Sequence, residues 1–313
     1  MEKETVDFYS PSNLNLKDLD SNLKASLTVM NKLDNLTLKH SENVSNLVTR
    51  ICEYMKCNNK FTLHCMVAGY IHDLGKLFIP KEILFKDGPL TNEEFEIMKK
   101  HTTYGYEYCM KDIYLKEFSD GPLYHHENLN GTGYPQHLQK KDIPYSAQII
   151  TVADEYDALV TKRHYKTHVH ISEVLKDLIK NAEPPKTVIA LDTLKQNEQL
   201  GKINSKPLKI LFNVVIDDIL YEISCVINYT KYLKSQIKRL DTIDRYYKKS
   251  QKAKNESTKQ YYIAGMKLLF QNSETAENYL QIQKEYKLAL EIREQRIKDL
   301  YNEIKIIKKL KVY

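Results

Sequence analysis

The chain has 313 residues, 42% hydrophobic and 28% charged, with only 9 Gly and 9 Pro. That content supplies a core for one generous domain or a domain with an appendage, and it excludes wholesale disorder and a turn-rich sandwich or barrel, leaving all-α as the expected class. The net charge of +6 is unevenly placed: Ile216 to Tyr313 hold 20 Lys and Arg against 13 Asp and Glu, a bias that well-solvated helices explain more simply than a nucleic-acid surface.

Residues 1–32 are expected to be a leader, polar and low in periodic signal, with a turn at Ser10-Pro11-Ser12-Asn13. From Leu33 the apolar positions Leu33, Leu36, Val44, Leu47, Val48, Ile51 and Met55 recur at helical spacing and predict the first helix. A second is expected from about Phe61 to Leu77, with Pro80 as a stop. Thr91-Asn-Glu-Glu94 reads as a capping box opening a third, whose apolar face continues through Phe95, Met98 and Tyr106. Gly121, Pro122, Gly131, Gly133, Pro135 and Pro144 mark residues 111–145 as loop. A helix then starts near Ser146. After Pro184-Pro185 two helical segments lead to Val214. From Ile216 nearly everything is amphipathic helix, and the stripe Leu290, Ile297, Leu300, Ile304 and Ile307 predicts a packed hairpin or coiled coil over 216–313, a possible homodimer contact.

Five cysteines, Cys52, Cys57, Cys65, Cys109 and Cys225, form no CxxC pair and no regular framework. The N-terminus lacks the apolar stretch of a signal peptide, and no apolar run approaches the roughly 18 residues needed to cross a bilayer. A reduced, soluble, cytoplasmic chain without a membrane span is expected.

The chemistry is carried by histidines that stand beside carboxylates and glycine turns. His40 lies mid-helix, His72-Asp73 at the end of the second helix and His101 on the third. His125-His126-Glu127 precedes the glycine-rich loop, and Asp154 sits on the next helix. Imidazole and carboxylate together suit iron, manganese or zinc, and a two-metal site needs one carboxylate able to bridge, for which Asp73 is the candidate. Taken singly, each is weak evidence, and a lone mid-helix histidine such as His40 is more often a satisfied core or surface side chain than a ligand. Jointly they do not, and Lys76, at i+3 from Asp73, places a cation where a phosphate would want it.

His72-Asp-Leu-Gly-Lys76 with Ile79-Pro80, then His125-His-Glu-Asn-Leu-Asn-Gly-Thr-Gly-Tyr-Pro135, resemble the HD-GYP branch of the HD-domain phosphohydrolases. The likeness extends to His40-Ser41, to His101 with Gly105-Tyr106, to Val152-Ala-Asp-Glu-Tyr-Asp-Ala-Leu159 and to Arg163-His-Tyr-Lys166. It covers about 33–215, taken as the catalytic domain, with an apparent insertion around Asn181 to Asp192 before family-like closing helices. The resemblance implies an all-helical HD-domain bundle that hydrolyses cyclic di-GMP to linear pGpG or GMP. Its metal ligands fall on His40, His72, Asp73, His101, His125, His126 and Asp154, holding two divalent ions, iron or manganese. Its substrate contacts fall on Lys76, Arg163 and Lys166, its signature loop on Gly131, Gly133, Tyr134 and Pro135, and a diguanylate cyclase (GGDEF) domain becomes a plausible partner.

From the residues, a hydroxide shared by two cations is the nucleophile, and Lys76 either neutralises the phosphate or protonates the departing oxygen. Gly131 and Gly133 can bring main-chain N–H groups to a phosphate or merely form a tight turn; Tyr134 can stack on guanine or pack. Glu127 and Asp157 are expected behind the ligands, orienting imidazoles through their free ring N–H. The sequence departs from the family at Leu36, where some members carry a Glu that helps hold a third metal, so two ions are expected. It departs again at Asn130 and His164. Alternatives are hydrolysis of another cyclic dinucleotide, or a receptor or adaptor that binds without turnover; no nucleic-acid partner is expected.

Overall fold

Leu19, Leu23 and Leu27 recur every four positions, and in a computed structural model of the chain they are buried together with Val29 and Met30. The structure describes residues 16–164, 170–182 and 201–310, with the backbone alone for 18 and 162–164. The leader expected over 1–32 is therefore folded from Leu16 onward. It comprises a 3-10 turn at Leu16–Asp18, helix α1 (Ser21–Leu27) capped by Asp20, and a second 3-10 turn at Thr28–Lys32. Its four-residue apolar spacing is a helical signal that the surrounding polar residues obscure.

Asp34 accepts from the N–H groups of Leu36 and Thr37 and starts α2 (Asn35–Tyr54). Asn58 caps α3 (Asn59–Tyr70) in the same manner. That helix stops well short of Leu77: Ile71, His72 and Asp73 leave the helical path, and Leu74–Phe78 is a 3-10 turn. Short α4 (Lys81–Leu84) follows Pro80. Thr91 and Glu94 form both bonds of the capping box that opens α5 (Asn92–Lys99). The helix expected to run on through Tyr106 is interrupted at Lys100, and α6 (His101–Lys111) begins on His101 itself. Phe95 is not part of a buried stripe, being 46% exposed.

Within 111–145 the chain makes a 3-10 turn at Lys116–Phe118, α7 (Asp120–Tyr124) and an irregular loop closed by an isolated bridge between Asn130 and Gln139. Helix α8 (Tyr145–His164) and α9 (Ile171–Asn181) follow. The expected insertion and the start of the closing helices lie largely outside the described residues. From there α10 (Ser205–Lys252), α11 (Glu256–Lys267) and α12 (Tyr279–Leu310) complete an architecture without strands among the described residues.

The chain divides into two compact units, one running through Asp218 and including the residues from Ile306, the other Ile219–Lys305. In the first, α2, α3 and α8 pack on one another, and α6 and α7 pack together at their side. Val44, Leu47, Val48, Ile51, Met66, Ile71, Ile149 and Ile150 fill the centre, and burying each is worth roughly 1.5–3 kcal/mol. Arg50 locks the first stretch of α10 by donating to Asp218 Oδ1 (2.6 Å) and the Val214 carbonyl (3.0 Å). The second unit is a hairpin in which α12 runs back along α10. Tyr279 donates to Asp244, Gln283 to Asp241 and Arg296 to Glu222. Leu240, Ile243, Met266 and Tyr279 form its core. The stripe predicted on α12 is the covered face: Leu300, Ile304 and Ile307 are buried, while Leu288 and Ile292 point outward.

No helix among the described residues is long and apolar enough to cross a membrane.

Candidate metal centre

Helix α8 presents Thr151, Asp154 and Asp157, three residues apart, along one side. Thr151 donates to the carbonyl oxygen of His125 (2.8 Å), which fixes the end of α7. Asp154 Oδ1 lies 2.9 Å from His40 Nε2, and Asp157 Oδ2 lies 2.7 Å from His40 Nδ1. His40, in the second turn of α2, is thus held from behind by one carboxylate and faces another.

His72 and Asp73 occupy the turn after α3. His72 Nδ1 is bonded to the Gly69 carbonyl (2.7 Å), which aims Nε2 inward. That Nε2 is buried without a hydrogen-bond partner; Asp73 Oδ2 stands 3.3 Å away and Asp154 Oδ1 3.8 Å. On the other side, His101 Nδ1 is bonded to the Met98 carbonyl (2.7 Å), and His125 Nδ1 to the carbonyls of Gly121 (2.9 Å) and Pro122 (3.0 Å). Their Nε2 atoms come within 3.2 Å of each other. The His126 ring packs at 4.1 Å from His125 and 5.1 Å from His101, centroid to centroid.

Two groups result, each with ligand atoms within 4.8 Å of one another: His40, His72 and Asp73, and His101, His125 and His126. Asp73 belongs to both sides. Its Oδ2 faces His72 (3.3 Å) and His40 (3.8 Å), while its Oδ1 faces His101 (3.6 Å) and His125 (4.0 Å). Lys76, on the 3-10 turn that eclipses i and i+3, donates to Asp73 Oδ2 at 2.6 Å.

The electrostatics suit cations. Burial lowers the imidazole of His101, holds His125 well below the usual value and brings His126 to about 3, the neighbouring imidazoles adding to the effect. Burial acts against ionised Asp73 and Asp154, yet both carboxyls lie below the usual range: Lys76 and His72 outweigh it at Asp73, the His40 bond and His72 at Asp154. For His40, burial is overcome by the bonds from Asp154 and Asp157, raising it to about 10. Neutral imidazoles and ionised carboxylates are the ligating forms, which His101, His125, His126, Asp73 and Asp154 already favour, whereas His40 has to release a proton when a cation binds. The donor set and the orphaned, buried Nε2 of His72 fit a pair of divalent cations.

Of the two residues expected to orient imidazoles, Asp157 does so at His40. Glu127 is placed otherwise: its oxygens accept from the backbone N–H groups of Gln136 (2.6 Å) and Leu138 (2.9 Å), so it anchors the signature loop. A carboxylate in that position satisfies two donors the irregular loop leaves unpaired. Gly133 lies flat against the backbone of His126 to Asn128, where a Cβ would overlap the Asn128 nitrogen and the His126 oxygen. Gly131 has φ +79 and gives its own N–H to Asn128 (2.8 Å). The glycines thus fold the loop onto the histidine pair, and Gly131's N–H is spent internally. Tyr134 packs on the His126 ring at 4.7 Å. The side chain of Arg163, and Lys166 entirely, lie outside the described residues. Sequence reasoning missed Thr151 at this site, for which the three-residue spacing with Asp154 and Asp157 was an available signal.

A family model described as HD domain matches residues 27–186. Over 158 residues the chain is 39% identical to a cyclic di-GMP phosphodiesterase of Thermotoga maritima, a match covering 49% of this chain and 43% of that protein. Over 165 residues it is 29% identical to the 3'3'-cGAMP-specific phosphodiesterase 1 of Vibrio cholerae, covering 52% and 38%. The chain thus spans less than half the length of these relatives. Among solved structures, an HDG"Y"P protein from Bdellovibrio bacteriovorus is similar with a TM-score of 0.45 and 20% identity, over 61% of this chain and 56% of that one. With a family match over more than half of its residues, lying across the helices that carry both histidine groups, the chain belongs to the HD domain family.

Proposed function

We propose that the chain is a metal-dependent phosphodiesterase that hydrolyses cyclic di-GMP to linear pGpG or on to GMP. The observation that carries this reading is Asp73, whose two oxygens face two separate histidine groups. On this proposal His40, His72, Asp73 and Asp154 hold one divalent ion, and Asp73, His101, His125 and His126 hold a second. Bound there, iron or manganese supplies Lewis acidity toward a phosphoryl oxygen and acidifies water from about 15.7 toward about 7. Lys76, kept cationic by its pairing with Asp73, neutralises a phosphate oxygen at the same edge. Arg163 and Lys166 are assigned to the substrate with it, and Gly133 and Tyr134 shape the loop that faces it. Asp157 and the carbonyls of Gly69, Met98 and Gly121 keep the imidazoles aimed. Leu36, apolar and exposed one turn before His40, offers no third carboxylate, so two ions per chain are expected.

The test is metal analysis of anaerobically purified protein coupled to product chromatography. Two ions per chain and conversion of cyclic di-GMP support the reading; metal-replete protein that binds the nucleotide without converting it overturns it in favour of a receptor. Turnover of a hybrid dinucleotide alone would correct the substrate, a variant favoured by the likeness to the Vibrio cGAMP-specific enzyme.

A further inference from the structure

Tyr134 connects the histidine groups to two side chains of α5 that the metal site does not use. Its ring lies 4.7 Å from His126 and meets Phe95 edge to face at 6.2 Å. The Lys99 ammonium sits 5.4 Å from the centroid of Phe95 and 5.8 Å from that of Tyr134. Spacing of i, i+4 on one helix accounts for the Phe95–Lys99 pair. It does not account for Tyr134, which arrives from the signature loop. Lys99 pairs with Glu96 at 2.6 Å, whose side chain is 67% exposed. Such a pair is worth at most about 1 kcal/mol and is readily exchanged. A large ring 46% exposed to solvent, with an ammonium over one side of it and joined by one aromatic contact, through Tyr134, to the His126 ring, has the makings of a nucleobase platform.

Resting on the phosphodiesterase reading above, we propose that Phe95 and Lys99 form a base subsite: the Phe95 ring stacks on a purine, and the Lys99 ammonium donates to acceptors on its edge. Guanine presents O6 and N7 as acceptors, whereas adenine replaces O6 by a donor amine that faces the ammonium unfavourably. The subsite therefore selects guanine-containing cyclic dinucleotides.

The experiment measures binding and turnover of cyclic di-GMP and cyclic di-AMP by the manganese-loaded full chain, with metal content determined for every variant. Phe95→Ala is expected to weaken binding of both nucleotides by about five-fold or more. Lys99→Ala lowers the preference for cyclic di-GMP over cyclic di-AMP by a similar factor, and Phe95→Trp restores binding. Wild-type affinities and preference in both alanine variants overturn the subsite, as does a weakening that tracks loss of metal. Wild-type binding without turnover sinks the phosphodiesterase reading while the same affinities still decide the subsite. A wild-type chain that binds neither nucleotide overturns both.

Discussion

Asp157→Asn isolates the aiming of one ligand from its presence. Asp157 accepts from His40 Nδ1 at 2.7 Å through Oδ2 and from Asn43 Nδ2 at 3.1 Å through Oδ1. The asparagine has one carbonyl oxygen for those two donors, so one donor goes unpaired at a site only 1% exposed, at a cost of about 1–3 kcal/mol. If His40 keeps the oxygen, Asn43 bears the loss and the metal site is intact but the fold is weakened. If Asn43 keeps it, His40 is free to rotate and Nε2 no longer faces Asp73 and Asp154. Because removing an outer partner of a ligand imidazole typically costs 10–100-fold, manganese affinity should fall by about that factor, about 1.4–2.7 kcal/mol. The loss should be confined to one of the two ions, since the His101, His125 and His126 group does not contact Asp157. Titration with manganese against a chelating dye resolves the two steps. A variant with the wild-type melting temperature, unchanged affinity for manganese at both steps and wild-type turnover refutes the reasoning.

Other perturbations follow from the same geometry. Gly75→Ala forces a Cβ into the carbonyl oxygen of His101, which cannot move without dragging α6; it should cost about 3 kcal/mol or more, read as a melting temperature lower by about 6–12 °C. Chelation should lower the melting temperature of purified protein and manganese restore it; an unchanged transition in both directions would show that no cation is bound to the native state. His64 is bonded to Asp120, which raises its imidazole above 6.5. The stability from that pair is complete below 6.5 and is lost as pH rises through the raised value, so His64→Gln should flatten that limb of the urea midpoint against pH. In the hairpin, Arg239 donates to both oxygens of Glu274 and to the Leu269 carbonyl. Arg239→Ala should cost about 2 kcal/mol and speed proteolysis between α10 and α12.

The start of α5 at Thr91 was legible as a capping box, and the histidines and aspartates stood out only as a joint pattern, since each of them taken singly is ambiguous. Three things were not legible. The four-residue spacing of Leu19, Leu23 and Leu27 is set among polar residues, and folded structure begins earlier than composition suggests. Glu127 has the composition of a ligand partner, but whether a carboxylate reaches an imidazole or a loop N–H depends on a chain path that Gly133 determines. Phe95 continues the apolar pattern of α5 toward Tyr106, yet remains half in solvent.

The misjudged helix lengths have a common cause at the metal site. Helix α3 was expected to pass through His72 and α5 through His101; both stop just before the histidine, as α7 does before His125. A helix end leaves carbonyls without intrahelical partners. Here the Gly69, Met98 and Gly121 carbonyls, each within the closing turn of its helix, take the Nδ1 proton of the histidine that follows. That bond fixes the tautomer that points Nε2 inward, and the Gly121 carbonyl shares itself between the His125 ring and the His125 backbone N–H (3.3 Å). Hydrophobic periodicity carries no trace of this, since the apolar face on either side of Lys100 stays nearly in phase. His40 lies in the second turn of α2, where no carbonyl is spare, and it is the one member of the inward-facing set backed by a side chain. That gives Asp157 its place behind His40, and it is why the variant at that position is expected to discriminate between the two proposed ions.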